Sequence, residues 1–185
     1  MGKEQQEQIR NAGAWMGTYI GVMWIVSFIC MANVSRVPTL SVLGAGIAIG
    51  SVIAIVVLIY QFRWRALKGE LSFGKSWLLV IQIFLYGSIL LATGIIIYMK
   101  FFDHGAFGAY YEQLIENPET KLLLDQLLER NGIDSEEFVS QIVNISPINL
   151  AINFMESNIL IGAFISLPLA LLSRIKLGLS IEKNR

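Results

Sequence analysis

The sequence predicts an all-α fold, an integral membrane four-helix bundle with a small extracytoplasmic helical insert between spans three and four. Three observations predict it. The 185 residues are 55% hydrophobic and 15% charged, whereas soluble domains carry about 25% charged residues to solvate their surface. Four stretches are apolar over the roughly 20 residues that a helix needs to cross a bilayer. Between the third and fourth of them the composition turns acidic and acquires the start and stop signals of short helices.

The clearest span lies within Ser76–Phe102. It has no charge from Trp77 to Met99, with Lys75 and Lys100 just outside and Trp77 and Tyr98 near the ends, where interfacial anchors belong. The sequence divides into an N-terminal membrane part, 1–102, with spans at about 13–34, 39–62 and 77–99. The acidic insert follows at 103–146. Residues 147–185 hold the fourth span, about 149–173, and a basic cytoplasmic tail.

Residues 1–11 are polar and expected to be helical. The apolar run from Ala12 to Val34 exceeds the 7–15 residues of a secretory signal core and has no convincing small-x-small cleavage site, so it reads as a retained span. Gly13, Gly17 and Gly21 strip side chains from one face of span one, and intramolecular packing is the favoured reading over a dimer face. Pro38 suits the first turn of span two. There Gly46 and Gly50 repeat the small-residue spacing, which predicts a tight hairpin between spans one and two. Gly162 and Ser166 form a similar stripe in span four, and Pro168 predicts a kink.

The insert holds nine acids against Lys121 and Arg130. A first amphipathic helix is predicted at about Ala106–Glu116. A second is capped by Asn117, has Pro118 in its first position and ends near Arg130 at Asn131-Gly132. Its apolar stripe is expected at Leu123, Leu124, Leu127 and Leu128. A third starts at Asp134 with Glu137 three residues on, and buries Phe138, Val139, Ile142 and Val143. Together they predict a cap.

With both termini on one side, that side collects Lys3, Arg10, Arg63, Arg65, Lys68, Lys75, Arg174, Lys176, Lys183 and Arg185, ten of the 14 basic residues. Under the positive-inside rule it is the cytoplasm. The expected location is therefore a bacterial inner membrane, multi-pass, with cytoplasmic termini and a periplasmic insert.

A recurring order of short elements accompanies this plan. Leu71-Ser72-Phe73-Gly74-Lys75 precedes span three, Tyr86-Gly87 lies within it, Asn117-Pro118-Glu119 opens an insert helix, and Ser146-Pro147 precedes span four. In these the chain resembles the bacterial four-span membrane family catalogued as domain of unknown function 4199, frequent in the Bacteroidetes, over nearly its whole length. The resemblance implies an inner-membrane location and supplies no activity and no catalytic or binding residues.

Glu156 is the single carboxylate inside a span, and such groups mark functional sites by default. Asn149 and Asn153 share its stripe at about 100° per residue, and Gln82 is the strongly polar side chain of span three. These four are the candidate polar site. The alternative is that Glu156 is a solvated carboxylate near the helix start, and that Gln82 makes an interhelical hydrogen bond. Asp103 and His104 offer two metal ligands where zinc takes three or four, and one cysteine, Cys30, excludes an internal disulfide. No phosphate loop, GxGxxG, GxSxG or HExxH pattern occurs. No enzyme activity, metal, cofactor or nucleic-acid partner is expected. The reading is a non-enzymatic accessory or scaffold protein that contacts membrane lipid and meets an envelope protein or a further copy of itself. The alternative is a small oligomeric transporter or channel subunit using Glu156 with Asn149 and Asn153.

Overall fold

The computed structural model describes residues 3–65, 67–69, 71–129 and 132–172. Arg130, Asn131 and the predicted basic tail at 173–185, with Arg174, Lys176, Lys183 and Arg185, lie outside the described residues. Those described form seven helices and no strand: α1 (Lys3–Ala32), α2 (Leu40–Arg65), α3 (Phe73–Phe101), α4 (Ala106–Glu116), α5 (Pro118–Glu129), α6 (Ser135–Val143) and α7 (Pro147–Leu172). Helices α1, α2, α3 and α7 are each long and apolar enough to cross a membrane. The polar start does not form a separate helix; it runs unbroken into span one as α1.

Helix ends follow local chemistry. Helix α2 stops where Lys68 (φ 48°) and Gly69 (φ 90°) turn left-handed, and the Gly69 N–H donates to the Arg63 carbonyl at 2.9 Å. Pro38 stands two residues ahead of α2, just outside the helix and not in its first turn, and its carbonyl accepts from the Ser41 hydroxyl at 2.7 Å. Pro168 lies inside α7, where it has no N–H to offer the preceding turn.

Helix α3 is the centre, packing on α1 along one side and on α7 along the other, while α2 packs mainly on α1. Close backbone approach makes the first contact. A Cβ built on Gly17 would stand 2.7 Å from Tyr86 Cβ and 3.0 Å from the Ile83 carbonyl oxygen, and one on Gly21 would stand 2.9 Å from the Gly87 carbonyl oxygen. Gly13 faces Gln82. The glycine stripe of α1 is thus an intramolecular face, and it meets α3. Gly162 receives the Phe84 ring, and Ser166 accepts a hydrogen bond from Trp77 Nε1 at 2.8 Å, so α3 and α7 meet through ring-into-gap contacts.

The expected role of Gly46 and Gly50 in the α1–α2 hairpin is not what the structure shows. Among the described residues neither has a neighbour within 4 Å of where a Cβ would stand. The hairpin uses the adjacent face of α2: Ser27 Oγ donates to the Gly44 carbonyl at 2.8 Å, and Trp24 Nε1 donates to Ser51 Oγ at 2.8 Å. Sequence spacing cannot separate these faces, because both are small or apolar and lipid accepts either.

Two apolar clusters fill the bundle. On the side away from the cap, Ile20, Ile55, Ile59, Leu79, Ile83 and Leu169 join all four spans. On the cap side Phe28, Leu91, Ile95, Tyr98, Phe107 and Ala151 join α1, α3, α7 and α4, with nothing from α2. Helix α2 therefore parts from the bundle toward the cap.

Substituting Gly17 by leucine is expected to destabilise the bundle by about 1–3 kcal/mol through overpacking. Gly46→Leu, at an open position inside α2, should not destabilise it and should add up to about 1 kcal/mol through helix propensity. Reversible unfolding in mixed micelles with rising SDS, followed by helical circular dichroism, measures both.

Candidate functional site

The four candidate residues do not converge. Asn149, Asn153 and Glu156 share an exposed stripe of α7, and Glu156 makes no hydrogen bond or ion pair among the described residues. Gln82 lies elsewhere, against Gly13 in the α1–α3 contact, with its Oε1 buried and unbonded. The expected interhelical hydrogen bond from Gln82 is therefore absent at that oxygen. The grouping fails because α7 turns its Asn149–Asn153–Glu156 stripe away from α3.

What the fold does assemble is the junction between cap and bundle. Asp103 is buried at the end of α3, and its carboxylate accepts from the N–H groups of Gly105 (3.0 Å) and Phe107 (3.0 Å). It acts as the turn that launches α4, which leaves it unlike a metal ligand; its neighbour His104 takes a left-handed conformation (φ 49°) and points into solvent. Among the described residues no three His, Cys, Asp or Glu side chains come together as a metal site requires.

The α1–α2 loop is tied to the same place. Asn33 Nδ2 donates to the Tyr98 hydroxyl at 2.6 Å, and Arg36 donates to Asn33 Oδ1 (3.0 Å) and to the Asp103 carbonyl (3.4 Å). Phe107 then drops from α4 onto Phe28, with ring centroids 6.2 Å apart, and Phe28 packs edge-on against Phe154 of α7 at 5.4 Å.

Above the bundle the cap is held by short-range polar contacts. Asp134 Oδ1 accepts from the N–H groups of Glu136 and Glu137 at 2.9 and 3.0 Å, the predicted start of α6. The Glu137 carboxylate turns outward to accept from Gln141 at 3.3 Å. Lys121 reaches from α5 to Glu136 at 2.6 Å, and that hydrogen bond and charge push the ammonium pKa above its usual value. The predicted leucine stripe of α5 is split. Leu124 and Leu128 are half-buried, whereas Leu122, Leu123 and Leu127 are 59%, 60% and 66% exposed. The short cap has too little interior to cover a whole leucine face.

Where α2 parts from the bundle, a cleft of about 360 Å³ opens beneath α4. Ala48 and Val52 of α2 form one wall, and Phe154, Asn158 and Ile161 of α7 the other. Trp24 and Phe28 form the floor, and Tyr110 and Tyr111 the roof. Burial, and secondarily Tyr110 alongside, raises the Tyr111 phenol above its ordinary pKa of 10.0. Phe154, Asn158, Ile161 and Ile165 recur at helical spacing, the sequence signal of this wall, which the more polar stripe through Glu156 overshadows.

The family model described as "Protein of unknown function (DUF4199)" matches residues 16–174. No curated protein and no solved structure matches the chain. The chain belongs to the DUF4199 family, and its architecture is four apolar helices with a helical cap between the last two.

Asp103→Ala removes the acceptor of two N–H groups at the start of α4 and is expected to weaken cap docking by about 1–2 kcal/mol. Limited proteolysis in detergent should then cut within 103–146 several-fold faster than in the parent, with the spans left intact.

Proposed function

We propose that this member of the DUF4199 family is a non-enzymatic accessory or scaffold protein of the bacterial inner membrane, whose periplasmic cap docks an envelope protein. The observation that carries the reading is the outward leucine patch of α5, where Leu122, Leu123 and Leu127 expose more than half of their surface. Exposed contiguous apolar surface commonly marks an interaction site. Glu119 lies one helical turn before Leu123 on the same exposed side of α5, which suits a partner with an apolar centre and a basic edge.

The positive-inside rule supports the orientation. Of the basic residues on the described helices and loops, Arg10, Arg63, Arg65, Lys68 and Lys75 lie at the end away from the cap. Asp103 bound up in a helix cap and a solvent-facing His104 support a non-enzymatic reading of that corner.

A second reading is favoured by one observation. The Asn149–Asn153–Glu156 stripe faces outward from a single copy. A carboxylate so placed near the membrane boundary is stabilised by water or by another copy's polar face, as an oligomeric transporter or channel subunit would provide. Cation or proton flux in proteoliposomes that Glu156→Gln abolishes would favour this reading over the first.

Photo-crosslinking in cells from a benzophenone amino acid at position 122 is expected to give a discrete adduct with one envelope protein. Leu123→Glu should reduce that adduct at least about fivefold. Adducts with lipid or with the chain itself, or one indifferent to Leu123→Glu, would sink the docking role. In a Cys30→Ser background, a membrane-impermeant maleimide should label Glu119→Cys from outside intact cells and leave Ser72→Cys unlabelled; the opposite pattern inverts the topology.

A further inference from the structure

We infer that the cleft between α2 and α7 binds one acyl chain of a membrane lipid, drawn sideways from the leaflet on the cap side. This stands whichever protein the cap meets. Phe154 and Asn158 flank Glu156, so the cap end of the cleft stands at the membrane boundary, and Ile161 and Ile165 carry its wall about 8–14 Å further along α7, at 1.5 Å per residue, to where the solvent between spans is hydrocarbon.

Among the described residues no charged side chain lines the cleft, which disfavours an ion or a charged ligand. Its wall polar groups on α1 and α2 are already bonded within the protein: Trp24 Nε1 to Ser51, Ser51 Oγ to the Ala48 carbonyl (2.6 Å), and Ser27 Oγ to the Gly44 carbonyl. What remains is apolar wall, the Asn158 amide, and the hydroxyls of Tyr110 and Tyr111, none of which has a hydrogen-bond partner among the described residues. An amide and two phenols can take ester and glycerol oxygens. Tyrosine is the side chain that suits a boundary with one apolar and one polar side.

Helix α2 contributes nothing to the cap-side apolar cluster, so the cleft's two walls are not closed by packing against each other there. They rejoin the common core only at the far end, through Ile55, Ile59 and Leu169. The volume of about 360 Å³ falls at the low end of ligand sites, which run from about 300 to 1,000 Å³. It has room for one chain and excludes a whole two-tailed lipid.

Trp24 on the cleft floor reports occupancy. A sole-tryptophan protein (Trp15→Phe, Trp64→Phe, Trp77→Phe) is placed in phosphatidylethanolamine–phosphatidylglycerol vesicles, with acyl chains either brominated or plain. Brominated chains should quench Trp24, and Ala48→Phe, which fills the cleft from α2, should cut the quenching at least about twofold. Ile161→Phe, filling it from α7, should do the same if Ala48→Phe fails to fold. Independently, the wild-type chain extracted in mild detergent should retain about one phospholipid per copy by native mass spectrometry, and the filled variants should lose it. Equal quenching in parent and filled variants, no quenching, or no retained lipid overturns the inference. So does a dimer with unquenched Trp24, which would assign the cleft to a second copy.

Discussion

The structure depends on how closely α1 and α3 approach each other. Inside a bilayer, apolar side chains gain nothing by leaving lipid for one another, so association rests on dispersion at short range and on a few interhelical hydrogen bonds. Dispersion falls steeply with a gap of even half an ångström. The Gly17–Gly87 region supplies the required approach: a Cβ on Gly87 would lie 3.2 Å from the Gly17 carbonyl oxygen and 3.0 Å from the Trp24 ring. Missing side chains here are the packing device. On its other face α3 reverses the relation, pushing Phe84 into the space left by Gly162.

That arrangement makes α2 an outlier. It is fastened to α1 by Ser27–Gly44 and Trp24–Ser51, and it shares apolar contact with the remaining spans only away from the cap. The cap is fastened to the other three spans, through Asp103 at the α3–α4 turn and Phe107 over Phe28. Arg36 and Asn33 pin the α1–α2 loop to Tyr98 and Asp103, so α2 starts beside the cap without packing under it. The cleft follows from these two attachments.

Local features were legible in the sequence, and relations between faces were not. The starts of α5 and α6 at Pro118 and Asp134 were readable because a helix cap is settled by residues within one turn. The stripe Gly13–Gly17–Gly21 was readable as an intramolecular packing face; its partner, expected on α2, is α3. Gly46 and Gly50 carried the same pattern and face outward. Glu156, Asn153 and Asn149 drew attention by polarity, whereas the cleft took Asn158, one turn from Phe154 on a different face of α7.

By itself the sequence determined the helical class, the four apolar spans and the acidic three-helix cap. Each is settled by composition or by neighbours a few residues apart, through transfer into lipid and the capping of terminal N–H groups. Only the tertiary structure decided which face of each span meets protein and which meets lipid, and hence that α2 diverges and α7 turns Asn158 inward. The physical reason is that lipid tails are as apolar as leucine. A buried face and a lipid-bathed face then have the same composition, and steric fit alone tells them apart.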